Sequence, residues 1–215
     1  MTLFRLVWVV GFLCTGLVEA QSIGLLKYRG GGDWYANPTA LGNLIEYCNQ
    51  TLGTSLEAEP ITVEPGSNEL YSQPFVHMTG HGNVVFSEGE LDHLRKWLDG
   101  GGFLHVDDNY GMDPFVRPFL ELLFEDSPLE KIPPDHPIFS KPFAFPEGLP
   151  KVHEHNNKAP EAWGIFRNGR LVLLYSFESD LGDGWEDPGV HNDPEELRQQ
   201  ALKMGANLVW WAFVR

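Results

Sequence analysis

The stretch "GGGFLHVDDNYGMD", Gly100–Asp113, contains an apolar run that ends on two adjacent carboxylates, Asp107 and Asp108. The three glycines at 100–102 are typical of a helix end, and a short apolar run after them is typical of a buried strand. Successive strand residues face opposite sides of a sheet, which groups Asp107 with His105 and Asp108 with Val106. The stretch therefore predicts a buried strand that carries one carboxylate on each face at its C-terminal end.

Strand-like and helix-like segments alternate around this stretch. The predicted strands are "IGLLKYR" (23–29), "PITVEP" (60–65), "FVHMTG" (75–80) and "GFLHVDD" (102–108), and the predicted helices span 38–52, 87–98 and 114–124. Ser87 and Glu90 have the spacing of a capping box, and Asp113 stands before a proline, where its side chain can cap a helix. This alternation predicts an α/β fold with three layers, in which a doubly wound, mostly parallel sheet lies between helices.

The second half of the chain is less regular. Six prolines between residues 133 and 150 predict a long surface excursion, in which Asp135-His136-Pro137 forms either a surface turn or part of a lid. In "AWGIFRNGRLVLLYSF" (162–177), Asn168-Gly169 predicts a hairpin turn, and a final helix is expected from 194 to about 213. Because no linker or repeat interrupts the sequence, residues 21–215 are expected to form one domain.

Residues 1–20 are predicted to be a secretory signal peptide. Arg5 precedes an apolar run, and the small residues Val18 and Ala20 precede the expected cut after Ala20. An uncleaved anchor is the alternative, but the run is shorter than the roughly 20 apolar residues that a spanning helix needs. The protein is therefore expected in the periplasm or outside the cell, with no membrane span after cleavage.

Charge and cysteine content narrow the expected partners. The formal net charge of −15 repels phosphate backbones and anionic lipids, so neither nucleic-acid nor membrane-surface binding is expected. Cys48 is the one cysteine beyond the predicted signal peptide, which excludes an internal disulfide in the mature chain. A small polar ligand, a cation or an envelope protein is the expected partner.

Polar residues follow the predicted strands at the edge where ligands bind in open parallel sheets. The candidate ligand-binding residues are Arg29, Asp33, Trp34, His81, Asp107, Asp108 and Asp180. His81 and Asp107 are also the candidates for catalysis. With a divalent metal they could activate a water molecule for hydrolysis, with Asp180 as a further ligand.

Each of these features also has a structural interpretation. Asp107 and Asp108 could cap a helix and hold the following loop, and His81 could belong to a tight turn between two glycines. His77 and His105 fit satisfied core histidines better than half of a zinc site, since no third ligand is evident. If both carboxylates converged at about 5 Å, they would repel by roughly 3 kcal/mol at an effective dielectric near 20, so a proton, donor or cation should compensate.

Several motifs together resemble the bacterial family named domain of unknown function 4159, and the resemblance covers nearly all of residues 21–215. The motifs are "YRGGGDWYANP", "TGHGNVVFSEGELDHLRKWLDGGGFLHVDDNYG", "PPDHPIF" and "SDLGDGWE". The resemblance implies a fold similar to class I glutamine amidotransferases, a flavodoxin-like sandwich, and no established activity. In working amidotransferases the corresponding strand leads to a Gly-x-Cys-x-Gly elbow, and here Asp107 stands in place of that cysteine. Cys48 falls in a predicted helix, so glutamine hydrolysis through a thioester is not expected.

Three functions are compatible with the sequence. The first is a secreted or periplasmic module that binds a small polar ligand or a partner loop through Arg29 and the strand-end carboxylates. The second is a metal-dependent hydrolase that uses His81 and Asp107, and the third is a structural envelope component. We expect Asp107 to bind the ligand and Asp108 to bond to backbone N–H groups of the following loop. Asp33 and His81 are expected to line one concave surface together with Asp107 or Asp108.

Overall fold

The computed structural model describes residues 21–155 and 157–214, which form a seven-stranded sheet with helices packed on it. The strands are β1 (Ile23–Leu26), β2 (Ile61–Val63), β3 (Phe75–Gly80), β4 (Phe103–Asp108), β5 (Glu130–Lys131), β6 (Glu161–Arg167) and β7 (Arg170–Phe177). The helices are α1 (Ala40–Leu52), α2 (Glu88–Asp99), α3 (Asp113–Leu123), α4 (Leu181–Trp185) and α5 (Glu195–Val214). The predicted signal peptide lies outside the described residues.

The strand order is β2-β1-β3-β4-β7-β6-β5. β1 to β4 and β7 run parallel, whereas β6, near one edge, is antiparallel to both of its neighbours, β7 and β5. The antiparallel hairpin turns at Asn168 and Gly169, with φ of 52° and 76°, because these two residues tolerate the left-handed conformation that the turn requires. The predicted α/β fold with a mostly parallel sheet and the predicted hairpin are confirmed.

The register brings the C-terminal ends of three neighbouring strands together at Asp107. Thr79 of β3 lies opposite Asp107 on one side, and Ser176 of β7 lies opposite it on the other. The predicted central strands are parallel as expected, although the first is shorter, since β1 ends at Leu26 and Arg29 makes a separate bridge to Val85. The sheet therefore presents its strand-end side chains at one edge.

Helices cover both faces of the sheet, and each face has its own hydrophobic cluster. On one face, α1, α4 and α5 pack together over Phe75 and Phe103. On the other, α2 and α3 cover Val76 and Leu104. Trp185 of α4 is fully buried and donates its indole N–H to Ala201 O at 2.8 Å, and burial of so large an apolar side chain stabilises by about 1.5–3 kcal/mol or more.

The helix starts show one confirmed prediction and one correction. The capping box of α2 is present, since Ser87 N donates to Glu90 Oε2 at 2.6 Å and the serine hydroxyl accepts from Glu90 N. Asp113, predicted to cap α3, is instead the first residue of that helix. Asp108 accepts from Met112 N at 2.8 Å, because the end of β4 brings a carboxylate to the positive end of the helix dipole.

The proline-rich excursion is held against α5 by Asn207. The Asn207 amide N–H₂ donates to Ile138 O at 2.9 Å and to Phe143 O at 2.8 Å. His136 packs its ring on Trp211 with centroids 5.2 Å apart. Within the described part of the chain, no helix has the length and apolarity to cross a bilayer.

Candidate functional site

Asp107 is fully buried on the face of the sheet covered by α4. One carboxylate oxygen accepts from Gly182 N at 2.6 Å, and the other accepts from the Ser176 hydroxyl. A Cβ at Gly182 would lie 3.1 Å from the carboxylate, so glycine permits this close approach. Burial raises the pKa of Asp107 to about 7, although these hydrogen bonds oppose the rise.

Asp107 is the end of a buried hydrogen-bonded row that we call the interior polar chain: His77, His105, Ser176 and Asp107. His77 Nδ1 lies 3.0 Å from His105 Nδ1, and His105 Nε2 lies 2.9 Å from Ser176 Oγ. Burial lowers the pKa of His77 to about 3 and that of His105 well below its usual value. Both rings pack on Trp185, and they are neutral core histidines at pH 7.

A cleft of about 330 Å³ opens at the C-terminal edge of the sheet. It is lined by Asp108, Tyr110, Gly111, Asp113, Pro114, His155, Lys158, Phe177, Glu178 and Asp180. Three of these residues have a left-handed backbone without being glycine: Tyr110 (φ 77°), Glu178 (φ 58°) and Asp180 (φ 57°). Such strained residues cluster at functional sites, because the surrounding fold must hold them in place.

Asp180 is the least satisfied carboxylate in this cleft. It is fully buried, and among the described residues neither of its oxygens has a hydrogen-bond partner. His155 Nε2 lies 2.8 Å from Asp180 Oδ2 but without the geometry of a hydrogen bond. Burial, together with the charges of Asp107, Asp183 and Asp108, raises the pKa of Asp180 to about 9. At pH 7 this side chain holds a proton unless a cation takes its place.

Beside the cleft, His153, Asp183 and His191 form a group that we call the edge triad. One ligand atom from each of them lies within 4.8 Å of the other two. Asp183 belongs to α4, whereas His153 comes from the segment before β6 and His191 from the segment before α5. His153 Nδ1 also lies 3.7 Å from Asp193 Oδ1, and the buried Asp193 Oδ2 has no hydrogen-bond partner among the described residues.

The edge triad has the donor set of a transition-metal site. Two imidazoles and a carboxylate suit zinc and related divalent ions, and three protein ligands leave a coordination position for water or substrate. Bonds of about 2.0–2.1 Å would bring the ligand atoms to roughly 3.3–3.5 Å of one another, so the triad must contract. His153 and His191 can move, since their side chains are 34% and 26% exposed.

Asp183 is held in place by a network of buried polar groups. The Asn37 amide donates to Asp183 Oδ1 at 2.7 Å. Asn37 Oδ1 in turn accepts from Asn109 and, at 3.3 Å, from the Thr79 hydroxyl. Such supporting bonds orient a ligand before a metal arrives, which lowers the entropy cost of binding.

The structure divides the residues predicted from the sequence into separate groups. Asp108 and Asp180 line the cleft, and Asp107 lies behind it. Asp33 and His81 form an exposed pair, with His81 Nδ1 3.0 Å from Asp33 Oδ2. In residues 21–155 and 157–214, no hydrogen bond or ion pair joins His81 to Asp107.

The two other predicted residues lie outside the cleft lining. Arg29 pairs with Glu90 at 2.7 Å, in a depression next to α2. Trp34 packs edge-on against Tyr35 with ring centroids 5.4 Å apart. Their roles in ligand binding stay predictions.

Sequence reasoning did not single out His153, His155 or His191. The first two lie in "KVHEHNN" at the end of the proline-rich excursion, and the third lies in the loop before α5. Neither segment has a hydrophobic period that would indicate its place in the fold. The available signal was the acid-rich "SDLGDGWED" (179–187), which needs partners from elsewhere in the chain to form a metal site.

The chain was compared with known proteins and families. None of the curated proteins compared with it matches. The sequence model of one family, described as domain of unknown function (DUF4159), matches residues 22–213. This match includes the sheet, the cleft and the edge triad, and the chain therefore belongs to the DUF4159 family.

Proposed function

We propose that the chain is a periplasmic or secreted binding module that holds a divalent metal ion at the edge triad and a small polar ligand in the neighbouring cleft. The observation that carries the proposal is the convergence of His153, Asp183 and His191 within 4.8 Å. The net charge of −15 supports the choice of a cation, because an acidic protein attracts positive ions.

The cleft and the edge triad share a wall. The His153 ring of the triad lies 4.8 Å from the ring of His155, which lines the cleft. On the other side, Asp180 immediately precedes α4, which carries Asp183. A ligand in the cleft would therefore lie next to the edge triad.

The proposed scaffold is three-layered, doubly wound and similar to class I glutamine amidotransferases. The parallel central strands and the helices on both faces support it. The position of Cys48 supports a role other than glutamine hydrolysis. It is buried inside α1, and burial raises the pKa of its thiol to about 12, which leaves almost no thiolate at pH 7.

The proposed location rests on the amino-acid pattern of residues 1–20. Arg5 and the apolar run after it have the organisation of a secretory signal.

A metal-dependent hydrolase is the second candidate. It is favoured by the three protein ligands of the edge triad, which leave a coordination position where a metal ion could activate a water molecule. In the version predicted from the sequence, His81 and Asp107 act together. The oxygens of Asp107 are occupied by Gly182 and Ser176, so a hydrolase built on this fold would activate its water at the edge triad.

Zinc titration of the metal-stripped protein, followed by calorimetry and elemental analysis, tests the metal site. We expect one zinc ion per chain. His153→Ala and Asp183→Asn should each weaken its binding by at least about 10-fold, since they remove a ligand atom. His93→Ala on α2 is the matched histidine control and should bind zinc as the wild type does.

Two outcomes contradict the proposal. Zinc affinity that is unchanged in both triad variants would remove the edge triad as the metal site. Loss of zinc in His81→Ala with full retention in His153→Ala would favour the hydrolase site predicted from the sequence. Because His153 is one-third exposed, its substitution should leave the protein folded, and a melting curve of the same sample checks this.

A further inference from the structure

We propose that the cleft recognises the ammonium group of a small organic amine, with the Asp180 carboxylate as its counter-ion. The inference rests on the proposed function, because it names the chemical class of the small polar ligand. It goes beyond the metal site, since the amine would occupy the cleft and not the edge triad.

Asp180 is the first support for an amine. Its side chain is 1% exposed, lines the cleft and has no hydrogen-bond partner in the described part of the chain. A buried carboxylate normally accepts several hydrogen bonds, and leaving it without them costs free energy. An ammonium group has three N–H donors and a positive charge, so one ligand group supplies both of the interactions that Asp180 lacks.

The charges around Asp180 favour a cation over an anion. The charged groups that act on its pKa are Asp107 and Asp108 of β4, Asp183 of α4 and Lys151 of the segment before β6. The other titratable groups around it are His155, 2.8 Å away, and the cleft-lining Asp113, Lys158 and Glu178. The carboxylates raise its pKa, whereas Lys151 has the smallest effect and lowers it. Lys151 is also already 3.2 Å from Glu178, so Glu178 has an ammonium partner. The basic group next to Asp180 is the His155 imidazole, 2.8 Å away, and burial lowers the pKa of that ring, which favours its neutral form.

Aromatic rings form the apolar wall that an amine's carbon chain would contact. Tyr110 is 49% exposed, and its ring stacks on His155 with centroids 4.3 Å apart. The chain itself places an ammonium group in this cleft, since Lys158 Nζ lies 5.7 Å from the Phe177 ring centroid. Aromatic faces attract ammonium groups through their negative π surfaces, and the cleft combines this surface with a buried carboxylate.

Binding should release a proton. In the free protein at pH 7, Asp180 holds a proton because its pKa is raised to about 9. A protonated amine that pairs with the carboxylate displaces that proton to the buffer, and the amine keeps its own. Amine affinity should therefore rise with pH between 7 and 9.

The test is a calorimetric titration of 1,4-diaminobutane into the chelator-treated protein at pH 7, in two buffers with different ionisation enthalpies. 1-Butanol and butyrate are the neutral and anionic comparators with the same carbon skeleton. We expect the diamine alone to bind, with release of close to one proton. Asp180→Asn should weaken binding by at least about 10-fold, the loss of a charge-assisted hydrogen bond, and Tyr110→Ala by about 2–5-fold.

Glu196→Gln is the matched control, because it also removes one negative charge but at an exposed position on α5. This variant should bind the diamine as the wild type does. Asp180→Asn should fold, because asparagine tolerates the left-handed backbone at this position. Equal affinity in Asp180→Asn, or butyrate binding as tight as that of the diamine, would overturn the inference.

Zinc titration of the same samples separates the two proposals. Zinc binding without amine binding contradicts this inference alone, and amine binding without zinc binding contradicts only the metal site.

Discussion

Asp107 and Asp180 are two fully buried carboxylates at the same edge of the sheet, and they differ in what surrounds them. Asp107 accepts from Gly182 N and from the Ser176 hydroxyl, whereas Asp180 has no hydrogen-bond partner among the described residues. Burial raises both pKa values, to about 7 for Asp107 and to about 9 for Asp180. The difference teaches that a saturated buried carboxylate belongs to the fold, and an unsaturated one is available to a ligand.

The largest expected effect is a fall in stability of the metal-free protein as pH rises. Asp180 has a folded-state pKa of about 9 and an unfolded value near 3.9. Between these values the folded state holds a proton that the unfolded state lacks. Its contribution is therefore complete below about pH 4 and is lost as pH rises through 9, by at most about 1.4 kcal/mol per pH unit. Urea unfolding at pH 7, 8 and 9 measures this slope.

The window from pH 7 to 9 separates Asp180 from Asp107 and from the two core histidines. Asp107 contributes in the same direction but mainly below pH 7. The lowered pKa values of His77 and His105 act in the opposite direction, below about pH 6.5. Asp180→Asn should flatten the profile in this window. A wild-type profile that is already flat there would show that Asp180 is ionised and satisfied, and the contrast with Asp107 would disappear.

The next effect is the stability cost of Asp107→Ala. This change leaves the buried Gly182 N–H without its carboxylate acceptor. The Ser176 hydroxyl loses Asp107 but keeps Val106 O, 3.2 Å away, as an acceptor. An unsatisfied buried donor costs about 1–3 kcal/mol. We expect a loss of about 3 kcal/mol in the free energy of unfolding, measured by urea at pH 7. Glu121→Ala, an exposed acidic residue on α3, should change stability by less than about 0.5 kcal/mol.

Asp107→Asn tests the contrast from the other side. The sequence predicts that this variant loses ligand or metal binding with little loss of stability. The buried environment of Asp107 predicts that the variant loses stability and keeps ligand binding. The asparagine amide has one oxygen, so it cannot accept from both Gly182 N–H and the Ser176 hydroxyl, and at this buried position it would not reach a ligand. Paired melting and zinc or diamine titrations decide between the two, and lost binding in a fully stable protein would return Asp107 to the site.

The sequence predicts the framework well and the site only in fragments. The parallel strands around "GFLHVDD", the capping box of Ser87 and the turn at Asn168-Gly169 depend on neighbours in the chain, so local patterns indicate them. The edge triad depends on where two irregular loops meet α4, and no local pattern specifies this. Likewise, the sequence shows that residue 180 is acidic. Whether its carboxylate finds a hydrogen-bond donor depends on where His155 and Lys151 lie after folding, and no local pattern specifies that.

The smallest effect concerns the proton arrangement within the interior polar chain. Above the pKa of Asp107, the Ser176 hydroxyl donates its one proton to the carboxylate, so the hydroxyl can only accept from His105 Nε2–H. His105 Nδ1 is then bare and accepts from His77 Nδ1–H, 3.0 Å away. This leaves His77 Nε2, which has no partner in the described residues, as a bare acceptor and not as an unsatisfied donor. The row therefore specifies one tautomer for each histidine.

Nitrogen NMR at pH 8.5 should show protonated Nε2 in His105 and protonated Nδ1 in His77. Neither ring should become an imidazolium on acidification to pH 5, because burial holds both pKa values far below the usual one. Ser176→Ala removes the acceptor of His105 Nε2–H and should cost about 2 kcal/mol, less than Asp107→Ala because Gly182 N–H keeps its carboxylate. The reverse tautomers in the wild type at pH 8.5 would mean that Asp107 still holds a proton there. Asp107 would then be protonated at pH 8.5, as Asp180 is. The hydrogen bonds that Asp107 accepts would not explain a difference between the two carboxylates.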